Sequence, residues 1–296
     1  MPSTPMPQSG LLYALPVLLL ILICQATLGQ STSTAVGQTS LIAALDASLD
    51  ESSGIAWHAG SLWTHNDSGD TPRVFQLDGD GNIQREVLIS NAEHVDWEAM
   101  AHDDQHLYIA DTGNNANLRS TLQIYRLSWS DLLSSDRADA ELISVTYADY
   151  QSGNPRSHNF DAEGLAVRGE QLWLFSKNRG DWQTRLYAFP KTPGNYRPEP
   201  LQTLPVNALI TGADIHQQSG EVVLTGTTRD FSANFVWRAP SSALGVDWDE
   251  SQVVEITPAD QWEAVLWDPQ SSSRLLLTHE NNQRGYAGLA SISLPD

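Results

Sequence analysis

The sequence predicts an all-β protein, a β-propeller, and three observations carry that expectation. Its apolar runs are short, rich in β-branched and aromatic residues, and bounded by Gly, Asp, Asn and Pro. No long stretch has helical periodicity. A cassette of such runs recurs about every 50 residues, the spacing of a four-stranded propeller blade.

In chain order, Leu11 to Cys24 comes first, an apolar run of 14 residues broken by Pro16. A membrane span needs roughly 20, so the run suits the core of a signal peptide. Residues 1–29 are read as that peptide, cleaved after Gly29 or after Ala26, and residues 30–296 as the propeller domain. Cys24 is the only cysteine, and bulky Ile23 precedes it where lipidation wants a small residue, so a lipoprotein is the lesser alternative. The mature chain then has no disulfide, thiolate zinc site or cysteine nucleophile. A monomeric protein, secreted or periplasmic, with no membrane span after cleavage, is expected. The net charge of -20 repels nucleic acid and anionic membranes.

Five segments align as the first strand of a unit: Ser53 to Trp57, Glu98 to His102, Glu163 to Val167, Ala213 to Gln217 and Glu263 to Trp267. A second and a third apolar run follow each, as in Leu107 to Ala110 and Leu122 to Tyr125. The first four units add a fourth, such as Glu86 to Ile89 and Leu142 to Tyr147. The fifth has only three. Ser40 to Leu49 is apolar and has no unit of its own, so it is expected to supply the missing outer strand and close the ring, removing exposed edges. That makes five blades. Six is the alternative, if residues 128–160 conceal a degenerate one.

A propeller places two sets of residues at one face. The inner set is the start of each unit: Ser53, Glu98, Glu163, Ala213 and Glu263. Three carboxylates converging on one axis raise each other's pKa or demand a cation, and hard oxygen ligands from several directions suit Ca²⁺. Ser53, Glu98, Glu163 and Glu263 are the candidate metal ligands. Hydrogen bonding of these glutamates to the neighbouring blade, or a catalytic carboxylate, are the other readings. The outer set lies on the loops after the second strands: "THNDSGDTPR", "DTGNNANLR", "SKNRGDWQTR", "GTTRDFSAN" and "THENNQRG". His65, Asp67 and Asp111 are the candidate bases there. Asn66, Asp70, Asn114, Arg119, Lys177, Arg179, Arg229, His279 and Arg284 are the candidate ligand-binding residues, since each loop carries a base and an anion pocket would need them. Turn chemistry explains much of the Asp-Ser-Gly and Asp-Thr-Gly signal. Trp182 is the only tryptophan in these loops, weak support for a sugar platform.

The motifs "ESSGIA", "LWTHNDSGD", "DWEAMA", "YIADTGNN" and "FDAEGLAV" together resemble a family of largely uncharacterised secreted bacterial β-propeller proteins. The order of the inner set is also similar to that of calcium-activated nucleotidases (apyrases), five-bladed propellers with an axial calcium held by Ser and Glu. Ser53, Glu98, Glu163 and Glu263 fit their Ser-Glu-Glu-Ser-Glu order, and Ala213 departs from it. The resemblance implies an axial Ca²⁺; the mouth loops do not correspond. The functional expectation is a metal-centred hydrolase acting on an anionic or phosphorylated small molecule. The alternative is a non-enzymatic module that binds a glycan or protein around a structural metal.

Overall fold

The structure, a computed structural model, describes residues 1–3, 34–281 and 285–295. The expected signal peptide and Cys24 fall, but for the first three residues, outside the described part. Residues Thr34–Asp296 form one compact unit. Among the described residues no helix is long and apolar enough to cross a membrane.

The fold is all-β, as the alternation of short runs predicts. Strand β1 (Ala35–Ala44) precedes β2 (Ser52–His58), β3 (Ser61–Asn66), β4 (Arg73–Leu77) and β5 (Ile83–Ile89). Then come β6 (Trp97–His102), β7 (His106–Asp111), β8 (Leu122–Ser128), helix α1 (Trp129–Ser134), β9 (Arg137–Ala138) and β10 (Glu141–Val145). These are followed by β11 (Ala162–Arg168), β12 (Gln171–Ser176), β13 (Thr184–Pro190), β14 (Gly194–Tyr196) and β15 (Pro200–Leu204). The last are β16 (Leu209–Ile215), β17 (Val222–Thr227), β18 (Asn234–Ala239), the small hairpin β19 (Ser241–Ser242) and β20 (Gly245–Val246), β21 (Gln252–Thr257), β22 (Trp262–Trp267), β23 (Arg274–His279) and β24 (Gly288–Ser293).

The antiparallel meanders are β2-β3-β4-β5, β6-β7-β8-β10, β11-β12-β13-β15 and β16-β17-β18-β21. The final set, β22-β23-β24, takes β1 as its outer strand. Thr39–Ala44 runs antiparallel to β24, while Ala35–Gln38 runs parallel to Val254–Thr257 of β21. One strand thus clasps the last two units into a single eight-stranded sheet. The N-terminal segment was expected to do this with Ser40 to Leu49; the pairing begins five residues earlier and ends at Ala44. Residues 128–160 hold α1, β9, which extends the first sheet beside β5, and β10, which completes the second; they hold no further four-stranded sheet.

Both faces of each sheet are apolar, and each face is buried against the next sheet. One core joins the first and second units through Trp63, Trp97 and Ile109. Others join the second to the third (Tyr108, Leu174, Tyr187), the third to the fourth (Trp173, Leu224, Trp237), the fourth to the fifth (Val236, Trp262, Leu277) and the fifth back to the first (Leu266, Leu276, Phe75). The first strands touch in the same cyclic order, β2, β6, β11, β16, β22 and again β2. No sheet could bury its apolar surface alone, so stability resides between the units.

Candidate functional site

Each first strand has one irregularity in its pairing with the second. The register slips between Ser52 and Gly54, Trp97 and Ala99, Ala162 and Gly164, Ile210 and Gly212, and Trp262 and Ala264. The residues passed over are Ser53, Glu98, Glu163, Thr211 and Glu263. A bulge leaves a residue out of the ladder and re-aims its side chain, so these five form one equivalent set. Its fourth member is Thr211, which corrects the sequence alignment on Ala213. A displacement of two residues preserves strand alternation, so apolar spacing could not detect it. The small residue after each bulge marks the true register: Gly54, Ala99, Gly164, Gly212 and Ala264. At Gly54 a Cβ would lie 2.8 Å from the Met100 amide nitrogen and 2.4 Å from His65 Nε2.

Where the bulge residue is a hydroxyl, it sews its strand to the next unit. Ser53 Oγ donates to the Glu98 carbonyl at 2.8 Å, and Thr211 Oγ1 to the Trp262 carbonyl at 2.7 Å. Where it is glutamate, a charge is buried. Glu98, Glu163 and Glu263 are 4 %, 3 % and 9 % exposed. Burial raises the pKa of all three; at Glu98 the Glu163, Asp67 and Asp161 carboxylates raise it further, while at Glu163 the Lys177 ammonium works against the rise.

Lys177, expected as a ligand contact at the mouth, reaches back to the axis. Its ammonium bonds both carboxylate oxygens of Glu163. Burial disfavours the charged amine, but Glu163, Glu263, Glu98 and Asp161 outweigh it and hold Lys177 above the ordinary lysine range. Beside it Arg179 pairs with Asp161, whose other oxygen accepts from the Asn114 backbone N–H at 2.7 Å. The third unit therefore supplies its own cations.

Carboxylate oxygens gather in two groups that share Glu98. Asp67, Asp96 and Glu98 offer oxygens within 4.8 Å of one another, as do Glu98, Asp161 and Glu163. In the second group Asp161 and Glu163 are neutralised by Arg179 and Lys177. No ion pair among the described residues reaches Asp67, Asp96 or Glu98. Gly113 closes over this first group; a Cβ there would lie 2.2 Å from Asp96 Oδ2 and 2.3 Å from Glu98 Oε1. Burial, helped by Asp96, Glu263 and Glu51 and opposed by the Ser68 amide, lifts Asp67 to a pKa of about 7. Glu280, which accepts from the Gln261 amide, is lifted by burial and by Glu263, Asp67 and Glu51 to about 8.

The remaining sequence candidates are tied into the scaffold. His65 and His279 are equivalent residues, 0 % and 1 % exposed. Each bonds through Nδ1 to the next carbonyl, Asn66 at 2.7 Å and Glu280 at 2.9 Å, and stands edge-on to a tryptophan, Trp97 or Trp262. Burial lowers His65 to about 4, so it is neutral at pH 7. Asp111 is buried against Arg119 at 2.8 Å. Asn66 bonds Asp70, which pairs with Arg73. Asn114 ties its loop to the Arg119 and Phe160 carbonyls at 3.0 Å. Arg229 stacks 4.9 Å over the Trp182 ring. Arg284 lies outside the described residues. Arg119, Lys177 and Arg179 all have carboxylate partners, while Asp67, Asp96 and Glu98 meet no ion pair among the described residues, so there carboxylates outnumber bases.

Beside the axis a cavity of about 490 Å³ opens between the fourth and fifth units, lined by Lys177, Thr211, Phe231, Asn234, Gln261 and Glu263. Phe231 is 67 % exposed at its rim. Asp96, Asp161, Thr211 and Glu280 were not singled out in sequence. The legible signal was the repeated acid two residues before the glutamate, in Asp96-Trp97-Glu98 and Asp161-Ala162-Glu163.

The chain matches no protein-family model and no curated protein. Among solved structures it is similar to hydrazine synthase of Kuenenia stuttgartiensis, with a TM-score of 0.43, 14 % identity and 89 % of this chain covered, spanning 65 % of that chain. It is similar also to a hypothetical protein from Leishmania major, with a TM-score of 0.47, 10 % identity and coverage of 86 % and 89 % of the two chains. A chain of a mitotic checkpoint complex gives a TM-score of 0.41, 10 % identity and coverage of 79 % and 74 %. Likenesses this remote carry no argument about function.

Proposed function

We propose that this chain is a five-bladed β-propeller that binds a divalent cation of the calcium type at Asp67, Asp96 and Glu98, and serves a ligand in the adjoining cavity. The cyclic order of the five inter-sheet cores and the β1 clasp support the five-blade reading. The observation that carries the cation is the contrast within the bulge set. One acidic group is compensated by the chain's own Lys177 and Arg179, and the other, equally crowded, meets no ion pair among the described residues. Crowded carboxylates drawn out of water, Glu98 buried and Asp67 and Asp96 half-buried, are costly unless paired. Hard oxygens in a cradle that a Gly113 Cβ would fill are the donors calcium takes.

A bound Ca²⁺ would supply positive charge and Lewis acidity beside the cavity. The residues of the chain do the rest. Lys177 and Glu263 line the cavity, and Asn234 and Thr211 add polar groups to its wall. Because carboxylates outnumber bases here, an anionic ligand gains entry only after the cation has offset them. The activity we propose is calcium-dependent hydrolysis of a phosphorylated or otherwise anionic small molecule by an exported protein. The sealing of His65 and the pairing of Asp111 favour a second reading, a binding module with a structural cation. A screen of the full chain against phosphoesters and lactones, with and without calcium, separates the two. Turnover that chelator abolishes supports the hydrolase. Calcium-dependent stability without turnover leaves the binding module.

A further inference from the structure

The residue four positions after each bulge is the last or next-to-last of the first strand, at the opposite end of the ring. These residues are Trp57, His102, Val167, Ile215 and Trp267. Three neighbouring units thus present an aromatic arc, Trp267, Trp57 and His102, where the other end presents acids. A cavity of about 440 Å³ lies against this arc, with Gln217, Gln270 and His216 among its walls.

Its chemistry differs from that of the acidic end. Among the described residues no Lys or Arg lines it, so it lacks the permanent cations that hold a phosphate or carboxylate. Its two carboxylates are occupied. Asp214 accepts the Ile215 and Trp267 amides at 2.7 and 2.8 Å, and Asp268 pairs with Arg274. Asp214 thereby fixes the Trp267 backbone across two units, and His216 stands edge-on to the Trp267 ring at 5.3 Å. Trp267 is 5 % exposed, yet its indole N–H has no acceptor. Trp57 is half-buried, leaving part of its ring to the cavity.

We propose that this cavity binds a neutral saccharide. A sugar ring offers an apolar face to Trp57 and hydroxyls that exchange hydrogen bonds with the Gln217 and Gln270 amides. Amphipathic rings, uncharged amides and the absence of a free charge suit that ligand class and exclude an anionic one. The site is separate from the acidic centre and does not depend on a cation.

The full chain is titrated with tetrasaccharides of β-1,4-glucose, α-1,4-glucose and β-1,4-N-acetylglucosamine, and with a uronic acid tetramer, by calorimetry and tryptophan fluorescence in the presence of chelator. At least one neutral tetrasaccharide binds saturably and the uronate does not. Trp57→Ala weakens binding by about tenfold or more, Trp57→Phe largely restores it, and Trp182→Ala, at the other end, leaves it unchanged. Should Trp57→Ala fail to fold, Gln270→Ala is the reporter and weakens binding. The proposal is overturned if no neutral tetrasaccharide binds, if affinity is unchanged in Trp57→Ala or Gln270→Ala, or if Trp182→Ala abolishes it.

Discussion

The second and third units carry the same acid-x-Glu pair at the same bulge, Asp96 with Glu98 and Asp161 with Glu163, yet their surroundings are opposite. In the third unit the loop after the second strand sends Lys177 and Arg179 inward, and each closes on a carboxylate of its own unit. In the second unit the corresponding loop sends in Gly113, which makes room, and its Arg119 pairs with Asp111 instead. A repeat places equivalent residues at equivalent points; the loops decide which charges are answered from within. The unanswered pair is where we place the cation.

The largest test of that contrast is Lys177→Met. It strands Glu163 beside Asp161 in a buried site, and stability should fall by about 3–5 kcal/mol, read as a loss of about 6–20 °C in melting temperature. Adding Glu163→Gln should restore much of the loss. Full stability in Lys177→Met would mean that the third unit's acids need no internal counter-ion. Glu98→Gln comes next, because Glu98 belongs to both groups. At about a hundredfold excess over its Kd, calcium should stabilise the unmodified chain by about 2.7 kcal/mol, and this variant should lose most of that gain. Gly113→Ala sharpens the point: its methyl would enter the Asp96–Glu98 cradle. We expect about 1–3 kcal/mol of destabilisation together with loss of the calcium response; a normal calcium isotherm from this variant would count against the cradle.

Proton linkage gives a smaller effect with a definite sign. Asp67 and Glu280 have folded pKa values of about 7 and 8, raised above their unfolded values near 4. The folded state therefore holds protons that the unfolded state has released. Their contribution is fully present in acid below the unfolded values, and is lost as pH rises through 7 and 8. Without calcium the melting temperature should rise on acidification from pH 8.5 to 5.5. With calcium that dependence should flatten, since the ion and the proton compete. A melting temperature that falls over that range in chelator would contradict the assignment. The smallest effect is expected from Arg126→Ala, which removes an ion pair with half-exposed Glu141. It should cost under about 1 kcal/mol and leave calcium binding untouched.

The all-β class was legible because short alternating runs with Gly and Asp punctuation have few other outcomes. The N-terminal outer strand was legible because Ser40 to Leu49 had no partner in its own segment. The site was half legible. Glu98 and Glu163 were singled out from their repeat and do come together. Thr211 was missed because a slip of two residues leaves the apolar pattern unchanged, and only Gly212 after the bulge marks it. Lys177 was read as a ligand-binding base at the mouth, and it does line the cavity there, but its pairing with Glu163 was not legible because loop residues next to a strand carry no sign of their partner in sequence. The Thr-His repeat at residues 64–65 and 278–279 looked chemical but is a packing repeat, each imidazole lying where a Cβ on Gly54 or Gly288 would clash.

The most direct test of the central claim is calcium titration by calorimetry of the metal-stripped full chain, compared with Asp96→Asn and Glu263→Gln. Asp96 belongs to the uncompensated group, and Glu263 lies by the axis outside both groups. We expect calcium binding with a raised melting temperature in the unmodified chain, near-complete loss in Asp96→Asn, and retention in Glu263→Gln. No calcium response in the unmodified chain, or a response that survives Asp96→Asn and vanishes in Glu263→Gln, would contradict it.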